Sequence, residues 1–188
     1  MNPASNLILV GPMGAGKSCI GRRLAEHFGL PFLDADRKIE QRTGASVATI
    51  FDCEGEPGFR ARERAALAEA LTAEGVLLAT GGGAVLDADN RRLLRERGFV
   101  VHLHVSVDQQ LQRLARDHTR PLLAGDDRAQ VLHDLAASRT PLYAEIADLG
   151  FDTDHLTAND AATQLAELLD RHWWRPGLAA HRQGSGQA

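Results

Sequence analysis

Residues Gly11-Pro12-Met13-Gly14-Ala15-Gly16-Lys17-Ser18 place glycines, a lysine and a hydroxyl at the spacing that phosphate chemistry requires. They fit the pattern G-x-x-x-x-G-K-[ST], which composition alone would produce in about one such chain in a thousand. Small residues at Gly14, Ala15 and Gly16 let backbone N–H groups turn inward around phosphate oxygens, and a following helix adds its positive end. Only two of the 21 basic residues are Lys, Lys17 and Lys38, so a lysine in this loop asks for a reason. Lys17 is suited to reach the outer phosphates of a nucleotide, and Ser18 to ligate Mg²⁺. The same loop serves motor ATPases, GTPases, small-molecule kinases and inert nucleotide-binding modules, so the rest of the chain must choose among them.

Several other groups could act on a second substrate. Asp34 and Asp36 end a short β-rich run one residue apart, so a strand would point both to one face. Beside a triphosphate, such carboxylates orient hydrated Mg²⁺ or accept a proton from an attacking hydroxyl; alternatively, Asp36 simply begins the next helix. Arg60 and Glu63 lie one helical turn apart, where a held guanidinium forms a fork for a carboxylate and an exposed pair contributes little. Gly81-Gly82-Gly83 lets backbone approach a ligand closely, or is a plain turn. Arg120 lies in a polar loop that suits a phosphoryl-transfer lid and equally suits any surface. Arg139 is expected at a helix end, because Pro141 disfavours simple continuation. His102 and His104 share a strand face but have no third ligand nearby, and read as satisfied histidines. Cys19 and Cys53 read as small buried or partly buried residues.

These groups need a scaffold, and the hydrophobic pattern supplies one. Apolar runs at Leu7–Val10, Phe32–Leu33, Val76–Ala79, Phe99–Val105 and Asp148–Asp152 read as strands. Between them, helical patterns cover Ser18–Phe28, Asp36–Thr43, Gly58–Thr72, Asn90–Arg97, Asp108–Arg116, Arg128–Ser138 and Asn159–His172. Strands alternating with helices predict an α/β fold with a parallel sheet covered on both faces, its crevice at the carboxyl ends of the strands. The 188 residues fit one domain with a proper core. A net charge of −4 argues against a nucleic-acid partner. No apolar run approaches the ~20 residues of a membrane span, and the N-terminus is a poor signal peptide. Two cysteines make no disulfide framework. A cytoplasmic protein is expected, with residues 176–188, rich in Gly, Gln and Ala, as a disordered tail.

Taken in order, Gly11–Ser18, Asp34-Ala35-Asp36, Phe59-Arg60 with Glu63, Gly81–Gly83, Arg120-Pro121-Leu122 and Arg139 before Pro141-Leu142-Tyr143 resemble the shikimate kinases, over about Leu7 to Arg171. The resemblance implies a P-loop, nucleoside-monophosphate-kinase-like three-layer fold over residues 1–175, with a five-stranded parallel sheet and a mobile lid at about 115–127. It implies transfer of the γ-phosphate of ATP, with Mg²⁺, to the 3-hydroxyl of shikimate in aromatic amino-acid biosynthesis. The resemblance places Asp36, Arg60, Arg139 and the Gly81–Gly83 backbone on shikimate, with both arginines on its carboxylate. It puts Arg113 beside adenine, Arg120 over the phosphates, Ser18 on Mg²⁺ and Asp34 on Mg²⁺ through water. Lys17, Asp36 and Arg120 become the catalytic set, and a monomer is expected. Cys19 stands where the family usually has Thr, so one hydroxyl contact to the nucleotide is changed. The rivals are another small-molecule kinase, such as a gluconate kinase, and a non-catalytic nucleotide-binding module.

Overall fold

The structure, a computed structural model, describes residues 4–115, 117, 121–123 and 127–175. Five strands, β1 (Asn6–Val10), β2 (Phe32–Asp34), β3 (Leu77–Ala79), β4 (Gly98–His104) and β5 (Leu149–Asp152), pair in parallel in the order β2-β3-β1-β4-β5. The first strand is central, in register with Leu77–Ala79 on one side and Gly98–His102 on the other. Its residues Leu7 to Val10 are fully buried, as a continuous apolar run in a two-faced sheet should be.

Alternation along β1 divides the core in two. Leu7 and Leu9 face α1 (Lys17–Phe28) and α7 (Ala158–His172), packing with Leu24, Leu165 and Leu169. Ile8 and Val10 face the opposite layer, with Leu67, Leu94, Tyr143 and Ile146. That layer is built from α3 (Val47–Ala70), α4 (Ala88–Arg97) and α6 (Arg128–Ile146). Each buried leucine or isoleucine contributes about 1.5–3 kcal/mol over an exposed one. Two shorter helices, α2 (Ala35–Thr43) and α5 (Val107–Arg113), complete the fold. At the far edge Trp173 is buried against Phe28 and Phe99 and donates from its indole N–H to the Ala4 carbonyl at 2.8 Å.

Four expectations are corrected. Asp36 is not on a strand: β2 ends at Asp34, whose carboxylate caps α2 by accepting from the Arg37 N–H, and Asp36 lies in the helix's first turn. The helix expected from Gly58 begins at Val47, capped by Ser46. Gly55, at φ 69° and ψ −179°, kinks it, and Pro57 follows where a new first turn has an N–H to spare. Third, α6 continues through Pro141 to Ile146. The carbonyl one turn earlier that loses its donor belongs to exposed Ala137, where water can replace it. Both cysteines are exposed, because they sit on outward faces of their helices. Of the lid region, Pro121–Leu123 form a short 3-10 turn, with Leu123 packed on Leu114 and Leu132; Arg116, Arg120 and residues 176–188 lie outside the described residues.

Candidate active site

The phosphate loop begins where β1 ends. Gly11 has φ 143°, and a Cβ there would strike the Leu103 carbonyl, so no other residue fits without moving β4. Gly14 and Gly16 also hold positive φ, and Gly16 is the left-handed cap from which α1 starts. Lys17 folds back over the loop, its Nζ donating to the carbonyls of Gly11 at 2.7 Å and Pro12 at 2.8 Å. Ser18 Oγ donates to Asp34 Oδ2 at 2.6 Å. Arg113 closes the side of the loop, donating to the Gly14 carbonyl at 3.0 Å and to Thr153. A cavity of about 220 Å³ results, lined by Gly14, Gly16, Lys17, Ser18, Cys19, Asp34, Asp36, Gly82 and Arg113 among others.

The hydroxyl of Ser18 and the carboxylate of Asp34 are hard oxygen donors at the mouth of this loop, a set that suits Mg²⁺, which takes oxygen ligands and keeps several waters. Among the described residues, no three His, Cys, Asp or Glu side chains are grouped to hold a metal by themselves. Few protein ligands alongside phosphate oxygens is the pattern expected for that ion.

A second cavity opens beside the first, lined by Asp36, Arg60, Glu63, Gly81, Gly82, Gly83 and Arg139, with Phe51, Phe59 and Leu122 on its apolar side. Arg60 is held from two directions: Nη1 to Glu63 at 2.7 Å, and Nε and Nη2 to Glu56 at 3.1 and 2.8 Å. Its guanidinium also lies over the Phe59 ring, 5.4 Å from the centroid. Glu63 is fully buried, so this is not the exposed pair that spacing alone allowed. Burial lifts the Glu63 carboxyl above its usual range, against the pull of Arg60. Burial also works against the Arg60 charge, but Glu63 and Glu56 outweigh it and hold the guanidinium ionised.

The two outer glycines of the triplet lie tight against these side chains. A Cβ on Gly81 would lie 2.6 Å from Glu63 Oε1 and 2.9 Å from Asp36 Oδ1, and one on Gly83 would collide with the Arg60 guanidinium. Arg139 reaches the pocket from α6 and is only 6% exposed. Sequence reasoning placed Asp36, Arg60, Gly81–Gly83 and Arg139 here, and all of them line one cavity. It did not assign Tyr143 a role, yet the Tyr143 hydroxyl donates to the Gly82 carbonyl at 2.5 Å. The spacing of four from Arg139 was the available signal. Thr153, which anchors Arg113, carried no signal at all. The rings of His102 and His104 lie tilted at 3.7 Å between centroids, with His102 buried against Tyr143. Burial, with His104 and Lys17 nearby, lowers the His102 pKa to about 4.

Met13, Asp36 and Gly82 line both cavities, so the pocket at the glycine-rich loop and the pocket holding the two arginines share a wall. Comparison with known proteins identifies the family. The shikimate kinase family model matches residues 13–170. The chain is 62% identical over 180 residues to a shikimate kinase of Stenotrophomonas maltophilia, covering 96% of this chain and 100% of that one. It is 58% identical over 173 residues to one from Xanthomonas campestris, covering 92% and 96%. A shikimate kinase from Acinetobacter baumannii, solved in complex with shikimate, superposes with a TM-score of 0.87 at 47% identity, covering 89% of this chain and 94% of that one.

Proposed function

The chain belongs to the shikimate kinase family, and from that premise we propose how its residues divide the work of phosphorylating shikimate. The activity is ATP-dependent phosphorylation of shikimate with Mg²⁺, in aromatic amino-acid biosynthesis. The acceptor atom is the 3-hydroxyl.

Arg60 and Arg139 hold the shikimate carboxylate, and the Arg60 guanidinium is already fixed by Glu56 and Glu63 before substrate arrives, which lowers the entropy cost of binding. The Gly81–Gly83 backbone carries the ring. Asp36, which lines both cavities, orients the 3-hydroxyl toward the phosphate loop and accepts its proton as the oxygen attacks. The backbone N–H groups of Gly14, Ala15 and Gly16 cradle the phosphates, and Lys17 meets the charge leaving with ADP. Ser18 would hold Mg²⁺ directly and Asp34 through water; when bound, the ion neutralises charge on the phosphate oxygens. Arg113 flanks adenine, and Cys19 offers the nucleotide a thiol instead of the hydroxyl usual in this family. Arg120, beyond the described residues, would close over the phosphates from the lid and keep water from becoming the acceptor.

The single observation carrying this reading is Asp36 on the wall common to the two cavities. No described helix is long and apolar enough to cross a membrane, and the net charge of −4 disfavours a nucleic-acid partner. We propose a cytoplasmic location and a monomeric state. The test is phosphoryl transfer from Mg-ATP to shikimate, gluconate and nucleoside monophosphates, by wild type and Asp36→Asn. Only shikimate should be phosphorylated. Asp36→Asn should lose about 10²–10⁴-fold in turnover while ATP still binds, because an amide cannot take the proton. Near-normal turnover by Asp36→Asn would remove the aspartate from this role.

A further inference from the structure

The acceptor pocket is assembled from chain segments far apart, and one hydroxyl joins two of them. Tyr143 lies on α6 one turn after Arg139, is 1% exposed, and donates to the carbonyl of Gly82, 61 residues away in sequence. Gly82 is the middle of the triplet. Its neighbours are the two glycines packed against the Asp36 and Glu63 carboxylates and against Arg60. Gly82 itself abuts the phosphate loop, where a Cβ on it would meet Met13 N at 3.5 Å and Gly11 O at 3.6 Å. The Tyr143 ring packs on His102, 4.8 Å between centroids, and His102 pairs in register with Val10 at the end of β1. The phenol is therefore held in place from the sheet, while its hydroxyl reaches the loop.

We infer that Tyr143 is a positioning residue for shikimate: its hydroxyl ties the helix carrying Arg139 to the glycine loop that backs Asp36 and Arg60, and so sets the spacing of the acceptor pocket. The inference rests on the assignment of shikimate to that pocket. The phenol has the properties such a tie needs. Burial raises its pKa to about 12, against the pull of Arg139, so it stays protonated and a donor throughout the working range. A backbone carbonyl accepts best near its own plane, so the tie constrains the loop's orientation as well as its distance.

The experiment is Tyr143→Phe, which keeps the ring and its packing on His102 and removes the hydroxyl, with its bond to the Gly82 carbonyl and its contact with Arg139. The KM for shikimate should rise about five- to thirtyfold, as loss of one buried hydrogen bond allows. Shikimate binding measured without nucleotide should weaken by the same factor, and the KM for ATP should hold within about twofold. Equal increases in both KM values would mean a general structural role and overturn the inference. So would an unchanged shikimate KM. Arg139→Lys, run in parallel, separates the two readings. If Arg139→Lys weakens shikimate and Tyr143→Phe does not, the tie alone is wrong. If neither does, the assignment of the pocket has failed.

Discussion

Asp34 accepts two hydrogen bonds with different purposes. One oxygen caps α2 through the Arg37 N–H at 3.2 Å, and the other takes the Ser18 hydroxyl at 2.6 Å. Asparagine caps helices about as well as aspartate, so Asp34→Asn should fold normally while losing the charge beside the Ser18 hydroxyl, the proposed Mg²⁺ ligand. The expected outcome is a higher Mg²⁺ requirement for turnover, with partial rescue at high Mg²⁺. A Mg²⁺ titration checks it, and a requirement equal to that of wild type would show that the Ser18–Asp34 pair serves only to brace α1 against β2. The sequence reading offered Asp36 as the start of this helix, and the cap lies two residues earlier, at Asp34. The bond to Ser18 was not, because it depends on α1 and β2 lying side by side.

At the scale of elements, breakers in the sequence were misread where tertiary packing absorbs them. The helix expected from Gly58 starts earlier, because the kink at Gly55 lets two helical segments pack together, with Phe51 and Phe59 at 4.7 Å. Pro141 suggests an end to α6, but the helix continues on the strength of Tyr143 and Ile146, both buried in the core. The glycine triplet after β3 was legible as a close approach, though the approach is to Arg60, Glu63 and Asp36 as well as to any ligand. Gly83→Ala should fold, because the colliding atoms are the end of a long side chain. It should displace Arg60 from the position fixed by Glu56 and Glu63, raising the shikimate KM about tenfold or more, since charge-assisted fork contacts are the strong ones. Steady-state kinetics with each substrate varied would detect this. An unchanged shikimate KM would mean Arg60 can bind from another rotamer.

For the molecule as a whole, the buried histidine under the site links stability to pH. His102 is 2% exposed and has its pKa lowered to about 4 from 6.5, with burial the leading cause. Above pH 6.5 it is neutral both folded and unfolded. Between 6.5 and about 4 the unfolded chain takes a proton that the folded chain refuses, so stability is lost as pH falls through that window. The full effect is on the order of 3 kcal/mol. Glu63, raised by burial, acts with the opposite sign, because the folded state holds its proton more tightly. Denaturant unfolding of wild type and His102→Gln at pH 7 and 4.5 should show a shallower loss in the variant. An equal loss would mean that other groups govern acid stability.

The strand–helix alternation and the Gly11–Ser18 loop were set by the amino-acid sequence alone. Both depend on local causes: runs such as Leu7–Val10 bury on both faces wherever they lie, and glycines at 11, 14 and 16 permit positive φ whatever surrounds them. Arg60, Arg139 and the triplet were visible as residue types, and as one pocket only through the family resemblance. Only the strand order β2-β3-β1-β4-β5 brings residues 36, 60, 81–83 and 139 together. That order also decided which charges are buried. Glu63 is one turn from Arg60 in any helix, yet it becomes a fully desolvated anchor only because the loop after β3 covers it. The bond from Tyr143 to Gly82 belongs to the same class. A contact across 61 residues has no local signature, since its energy exists only after the sheet has closed the distance.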